Sequence, residues 1–371
     1  MTNEALLAKI NLVVDKLIHL GGADYASDKN ISLSEAIRTG NVNRDFGIEE
    51  WDWPQGVGLY GLLMLQNYYG DERFLPFFQN WYEENVKKGL PSRNINTTCP
   101  YLTLLHLLDK FPDNKNYEEM CIQHADWLIK ELPKTKEGGF QHVTSGIGDR
   151  NAVILNESEL WIDTLFMSGL FLYNMGIRYQ NELWKSEAVY QVLLHIKYLY
   201  CKNTGLFFHG FSFDRNDNFG NVFWCRGNSW FTLGITLLLE HTDSIEKGTC
   251  RYLTETLRTH AQALKNCQAP SGLFHTILTD PSSYEEVSGS AAIAAGLLRG
   301  IKLGLLDSGF QECADRAIEA VCSNIDEEGT VLNVSAGTAM GMNPEHYKGI
   351  SLRPMAYGQS LTLIALCEAL H

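Results

Sequence analysis

Along most of this chain the apolar residues recur with the 3.6-residue period of an α-helix, and strand-like stretches are few and very short. The pattern predicts helices over residues 3–20, 55–70, 72–88, 98–110, 115–132, 158–179, 183–201, 227–241, 246–266, 286–304, 308–324 and 355–370. Glycine and proline punctuation separates them, at Gly21-Gly22, Gly70-Asp71, Gly89 to Pro91, Pro112-Asp113, Gly205, Gly272 and Gly329. The predicted class is all-α.

A repeat emerges when the glycine turns are aligned. Gly139-Phe140-Gln141-His142, Gly205-Leu206-Phe207-Phe208-His209 and Gly272-Leu273-Phe274-His275 share a glycine, a short stretch led by apolar or aromatic residues, and a histidine. Gly329-Thr330-Val331-Leu332 is a weaker copy without the histidine. The steps of 66, 67 and 57 residues suit a two-helix hairpin with its loops. Helices that are apolar on more than one face need neighbours on both sides, which an open solenoid or a closed double ring supplies. A dozen helices is the number that closes a six-hairpin toroid, an (α/α)6 barrel. The repeated turns then gather at one end, with His142, His209 and His275 around a common mouth. No linker divides the chain, so residues 1–371 are expected to form one domain.

Composition narrows the function. With 45% hydrophobic residues the chain can bury a large core, and its net charge of −14 disfavours nucleic acid as a partner. A local pocket of Arg and His can still receive an acidic sugar. The nine cysteines are odd in number, widely spaced and free of CxxC pairs, which fits a reducing compartment better than disulfides or zinc. Charges at Glu4, Lys9 and Asp15 make the N-terminal stretch an amphipathic helix and not a signal peptide. No run of about 18 uncharged apolar residues exists to span a membrane. The expected location is the cytoplasm.

Three stretches carry candidate chemistry. Asp163 is surrounded by Trp161, Ile162, Leu165, Phe166 and Met167, and a carboxyl desolvated by such neighbours stays protonated to higher pH, as a general acid requires. Helix capping is the alternative role. In Trp224-Cys225-Arg226-Gly227-Asn228-Ser229-Trp230, two indoles suited to stacking on sugar rings flank a planar guanidinium suited to a carboxylate, the combination that a uronic acid needs. In Trp51-Asp52-Trp53-Pro54, Asp52 suits an N-cap and Pro54 a first helical turn. We expect Trp53 to pack and Trp51 to face the mouth. Ahead of the fourth helix, Asn96 or Thr97 is the expected cap, with sugar hydroxyl contacts as the alternative. The histidines have no metal-ligand spacing, and there is no Walker or Rossmann loop, GxSxG elbow or HExxH motif.

Taken together, WDWPQGVGLYGL, GGFQH, ELWIDTLFMSG, GLFFHGF, FWCRGNSW and EEVSGSAAIAAGLLRGIKLG resemble the unsaturated rhamnogalacturonyl hydrolases of glycoside hydrolase family 105, relatives of the unsaturated glucuronyl hydrolases of family 88. The resemblance runs over essentially the whole chain. It implies an (α/α)6 barrel, a small oligosaccharide as substrate, and no metal or organic cofactor. The implied substrate ends in a uronic ring with a C4–C5 double bond. One acid protonates C4 of this vinyl ether, water adds at C5, and the hemiketal collapses to release the remaining saccharide. By the same resemblance Asp163 is that acid, His209 lies near the reacting ring, Trp224, Arg226 and Trp230 form the stacking and carboxylate-binding set, and Met167 is a pocket residue. His142, Trp51 and Asp52 resemble other parts of the subsite. Many relatives carry a second pocket aspartate in the polar run before the fourth helix, where this chain has Asn94, Asn96, Thr97 and Thr98, with Asn96 the candidate replacement. The alternatives are a glycosaminoglycan-directed glucuronyl hydrolase, a sugar epimerase using His142 and His209, and a helical-repeat scaffold.

Overall fold

Among the described residues, six helices are buried on nearly every face and six other long ones carry one polar side; that division builds the fold. In the computed structural model, which describes residues 2–21, 47–146 and 149–370, α1 (Asn3–Ile18), α3 (Leu75–Lys88), α5 (Lys115–Lys130), α7 (Glu182–Leu199), α9 (Lys247–Cys267) and α11 (Gln311–Ser323) are the amphipathic, outer set. The inner set is α2 (Trp53–Tyr69), α4 (Ile95–Leu107), α6 (Leu170–Arg178, led in by residues 163–169), α8 (Cys225–Leu238), α10 (Val287–Lys302) and α13 (Ala356–Glu368). A short helix, α12 (Pro344–Lys348), precedes the last of them.

The inner helices form a closed ring: α2 packs on α4, α4 on α6, α6 on α8, α8 on α10, α10 on α13, and α13 back on α2. This is the (α/α)6 barrel that the periodicity predicts. Small residues allow the approach. A Cβ at Gly56 would lie 2.6 Å from the Pro100 nitrogen, and one at Gly296 would lie 2.7 Å from the Thr232 backbone. Both are shorter than a side chain tolerates, so glycine sets these interhelical distances.

All six inner helices begin at the same end of the barrel, where the repeated turns also gather. The left-handed residue of the first turn is Gly138 and not Gly139, with φ of 80°, alongside Gly205 (77°), Gly272 (98°) and Gly329 (79°). The first copy of the repeat therefore begins one residue earlier than the alignment places it. Three of the four turns are fixed by a buried polar side chain. Gln191 donates to the Gly138 carbonyl, His260 bonds the Gly205 carbonyl, and Gln359 donates to the Gly329 carbonyl. The backbone groups of these turns, shielded from water, thus find partners within the repeat.

Two-stranded antiparallel ribbons rim the mouth. β1 (Val143–Ser145) pairs with β2 (Val153–Leu155), β3 (Glu159–Trp161) with β6 (Gly210–Ser212), and β4 (Tyr200–Cys201) with β5 (Leu206–Phe207). β7 (Phe274–His275) pairs with β8 (Glu285–Glu286), and β9 (Val334–Ser335) with β10 (Leu352–Arg353). One predicted boundary is corrected here. The helix expected over 158–179 begins only at 163, because Ser158 takes a left-handed φ of 57° and Glu159–Trp161 is drawn into pairing with Gly210–Ser212. Gly22, the second residue of the first predicted turn, lies outside the described residues. No described helix is long and apolar enough to cross a membrane.

Candidate active site

The β3–β6 ribbon delivers Asp163 to the mouth. Trp161 pairs with Gly210, and the Ile162 N–H donates to the His209 carbonyl at 3.0 Å, which aligns the start of the helical segment leading into α6 with the histidine turn. Immediately after Asp163 the helix widens into a π-turn over Leu165–Gly169. Such wide turns are rare and often accompany functional sites. The Asp163 side chain retains 17% of its exposure. Its pKa is pushed up from 3.8 to about 6, chiefly by burial; Arg226 and the Trp230 indole N–H, which faces the carboxyl without reaching hydrogen-bonding geometry, pull the other way.

His209 lies beside it, with Nε2 3.6 Å from Asp163 Oδ2. The ring is buried to 2% exposure. Desolvation, with His142, Arg226 and His346 nearby, holds its pKa well below 6.5, so the imidazole is neutral at physiological pH. A row of rings continues to either side. His142 lies flat on Trp161 at 4.4 Å, Trp161 meets His209 edge-on at 5.4 Å, and His209 contacts Trp224 at 4.2 Å. His142 Nδ1 bonds the Thr164 hydroxyl at 2.9 Å, and burial lowers its pKa to about 3. Four polar atoms here are buried with no partner within the protein: Asp163 Oδ2, His209 Nε2, Trp224 Nε1 and Trp230 Nε1. Among the described residues Asp163 is the carboxylate left in this condition. Such atoms are scarce in folded proteins and call for an explanation where they cluster.

Arg226 is 2% exposed and committed inside the protein. Nη1 donates to Ser288 Oγ and the Ser335 carbonyl, and Nη2 to the Ala336 carbonyl and Thr338 Oγ1. The guanidinium is held between the rings of Trp224 and Tyr357, at 4.6 and 4.7 Å. It ties the 335–338 loop to the start of α8 and acts electrostatically on Asp163. Trp230 packs edge-on to Trp53 and against Phe166. Met167 is buried within the π-turn.

The expected division of the first tryptophan pair is reversed. Trp51 is 3% exposed and packed among Trp81, Tyr82 and Tyr101, its N–H donating to the Thr97 carbonyl at 2.9 Å. Trp53 is the half-buried member and stacks on Tyr357 at 4.7 Å. Trp51 precedes the Asp52 cap and Trp53 follows it, with Pro54 in the first turn of α2. Asp52 does cap α2, accepting from the Trp53 N–H at 2.7 Å, while its other oxygen accepts from Ser145. The cap of α4 is Asn94, not Asn96 or Thr97. Asn94 Oδ1 accepts from the Thr97 N–H and the Asn94 N–H donates to Thr97 Oγ1, a reciprocal box that starts the helix three residues early. Asn96 is buried in the first turn of α4. His275 bonds the Ser283 carbonyl of its own ribbon and stands apart from Asp163's ring row.

Sequence reasoning missed Tyr347. It is 1% exposed and its hydroxyl is 2.8 Å from His209 Nδ1. The signal available was loop length: residues 325–354 form the second-longest interval between predicted helices, after 21–54, and long loops in compact domains tend to carry function. Among the described residues no three His, Cys, Asp or Glu side chains converge as a metal site.

Comparison with known proteins agrees with this architecture. The chain is 30% identical over 347 residues to the unsaturated rhamnogalacturonyl hydrolase YesR of Bacillus subtilis, spanning 93% of this chain and 96% of that protein. It is 29% identical over 322 residues to an unsaturated 3S-rhamnoglycuronyl hydrolase of Formosa agariphila, 82% of each. Among solved structures, a possible family 105 member from Salmonella enterica superposes with a TM-score of 0.88 at 32% identity, covering all of this chain and 94% of that one. The unsaturated glucuronyl hydrolase of Bacillus sp. GL1 shares the fold, with a TM-score of 0.67 at 18% identity over 98% of this chain and 96% of that one. The family model described as Glycosyl Hydrolase Family 88 matches residues 34–371, and the chain belongs to that family.

Proposed function

We propose that this protein hydrolyses oligosaccharides that end in a 4,5-unsaturated uronic acid, in the manner of a rhamnogalacturonyl hydrolase, with Asp163 as the single acid and base. The observation that carries this reading is the buried Asp163 carboxyl, with a pKa of about 6, facing a neutral His209 across 3.6 Å. Family membership and the rhamnogalacturonyl relative that spans nearly the whole chain support the substrate class.

The steps follow from the chemistry of a vinyl ether. Protonated Asp163 gives its hydrogen to C4 of the terminal ring, and the C4–C5 π-electrons form the new C–H bond. The cation left at C5 is stabilised by the ring oxygen. Water bonds to C5 and surrenders a proton to the Asp163 carboxylate, which restores the acid. The resulting hemiketal opens by cleavage between C5 and the ring oxygen, and the hemiacetal exposed at C1 expels the remaining saccharide. One group serves both proton transfers, so the paired-carboxylate spacing of ordinary glycosidases is not required. Trp224, Trp230, His142, Met167 and Asn96 surround the ring in this reading, while Asp52 and Arg226 hold the shell of the site together.

Residues 1–371 act as one catalytic domain, and the nine cysteines, all free, support a reducing, cytoplasmic setting. The test is loss of the ultraviolet absorbance of the C4–C5 double bond. Unsaturated galacturonyl-rhamnose, an unsaturated ulvan disaccharide and an unsaturated chondroitin disaccharide are incubated side by side. Turnover led by the rhamnose-linked substrate is expected; absence of bleaching with all three overturns the reading.

A further inference from the structure

From the contacts around His209 we infer that Tyr347 is a positioning residue that fixes the histidine in one tautomer, with its N–H aimed at Asp163. This deepens the proposed hydrolase reading and rests on it.

Hydrogen-bond direction around the Tyr347 hydroxyl selects the tautomer. The Tyr347 hydroxyl accepts from the Gly341 N–H at 3.1 Å and lies 2.8 Å from His209 Nδ1. The Gly341 N–H already supplies one hydrogen to this oxygen, and the hydroxyl's own proton has two acceptors in reach, the Met340 sulfur at 3.9 Å and Nδ1 of the neutral ring at 2.8 Å, of which the nitrogen is the nearer and the stronger. A ring that accepts at Nδ1 carries its hydrogen at Nε2. That nitrogen is the one 3.6 Å from Asp163 Oδ2, and both atoms are otherwise without partners. The direction Gly341 to Tyr347 to His209 to Asp163 is therefore set from the backbone outward.

Tyr347 is itself held firmly. It belongs to a small buried cluster with Val222, Trp224 and Ile277, and it sits on α12, a helix capped by Asn343 and opened by Pro344. Lys348 anchors the same helix through an ion pair to Asp280 at 2.5 Å and a bond to Ser282 Oγ. The chemical consequence falls on the first proton transfer of the reaction cycle. Once Asp163 has given up its proton it is a carboxylate, and an imidazole N–H fixed toward it stabilises that charge, which makes the proton easier to release. Rotated or in the other tautomer, His209 would present a lone pair to the carboxylate and oppose the transfer.

The charged and titratable groups that face the pair are Arg226 on α8, His142 on the β1 turn, His346 on α12 and Tyr347 itself. The decisive measurements use the full chain and Tyr347→Phe. In the wild type, ring ¹⁵N correlation spectra should show His209 protonated at Nε2 with Nδ1 as acceptor. In Tyr347→Phe that assignment should give way to mixed or Nδ1–H signals. In the variant kcat should fall about tenfold, the worth of one oriented hydrogen bond to a charged group, with KM changed by less than about twofold. Losing a donor to the carboxylate should also move the alkaline limb of the pH–kcat profile upward. Unchanged tautomer, kcat and pH profile in a variant with wild-type melting temperature would show that Tyr347 only fills space, and would overturn the inference. Wild-type His209 protonated at Nδ1 would overturn it as well. Because the spectra are recorded without substrate, they stand apart from the hydrolase reading, which falls separately if Asp163→Asn retains full turnover.

Discussion

His209 Nε2 and Asp163 Oδ2 lie 3.6 Å apart, yet at neutral pH the two do not form an ion pair. Burial keeps the imidazole uncharged and lifts the carboxyl to about 6, so the pair meets as a neutral donor beside an acid poised near its own pKa. That arrangement suits one group that must first give a proton and then recover it. Asp163→Asn, which preserves shape and removes the acid, should lower kcat by about 10²–10⁴-fold, the usual contribution of a general acid. Substrate affinity measured by calorimetry should stay within a few-fold. Full turnover would reject the assignment.

The pH dependence follows with a definite sign. Asp163 must begin protonated, so kcat/KM should decline as pH rises through about 6. The same shift acts on stability. A carboxyl raised from 3.8 to about 6 in the folded state contributes stability at low pH that is lost as pH climbs through this window. Asp163→Asn removes the effect, so its melting temperature relative to wild type should be more favourable at pH 8 than at pH 4.5. An equal difference at both values would show that the carboxyl is not perturbed.

The buried histidines should act in the opposite direction. His124 and His142 are lowered to about 3, His195 and His260 to about 4, and His209 also lies well below 6.5, each mainly by burial. Their stabilising effect is complete above 6.5, where both folded and unfolded chains hold them neutral, and is lost as pH falls because the unfolded chain takes up protons first. Each such group adds about 1.4 kcal/mol of stability loss per pH unit once it is charged in the unfolded chain. Denaturation followed from pH 7 to 4.5 should show net proton uptake of several equivalents on unfolding. Uptake near zero would place these rings in contact with solvent.

Arg226→Lys should injure the fold before it injures binding. Four acceptors around the guanidinium, on Ser288, Ser335, Ala336 and Thr338, cannot all be served by one ammonium group. A loss of about 2–4 kcal/mol in unfolding free energy is expected, from buried acceptors left unpaired. If instead stability is unchanged and KM alone rises, Arg226 serves the substrate carboxylate directly and the anchoring role is wrong.

Trp51→Phe should likewise read out as stability. It removes the N–H bond to Thr97 and part of the stacking on Trp81, at a cost of about 1–3 kcal/mol by chemical denaturation, with KM unchanged. A raised KM at constant stability would return Trp51 to the mouth.

Much of this was legible in the residues themselves. The 3.6-residue period located the twelve long helices of the described residues, and the glycine-led turns announced a helical-hairpin repeat that an open solenoid or a closed ring could satisfy; the packing of α13 on α2 is what closes it. Local chemistry also pointed to a desolvated carboxyl at Asp163, an aspartate followed by Leu165, Phe166 and Met167, and burial does raise its pKa to about 6. Asp52 as a cap could be read from Pro54 two positions on. Where the sequence misled, the deciding contact came from far along the chain. Glu159–Trp161 has a helical pattern but becomes a strand because Gly210–Ser212 arrives beside it. Trp51 and Trp53 are equivalent as letters, and only the positions of Trp81, Tyr101 and Tyr357 assign one to the core and the other to the rim.

Periodicity and local polarity thus determined what each segment had to bury, and with it the helical hairpins and the desolvated carboxyl. The facing of the acid was decided elsewhere. Tyr347 meets His209 across 138 positions of sequence, and Arg226 reaches carbonyls more than 100 positions away. Hydrogen bonds act over about 3 Å and depend on direction, so no pattern along the chain encodes them until closure of the barrel brings the first and last repeats to the same mouth.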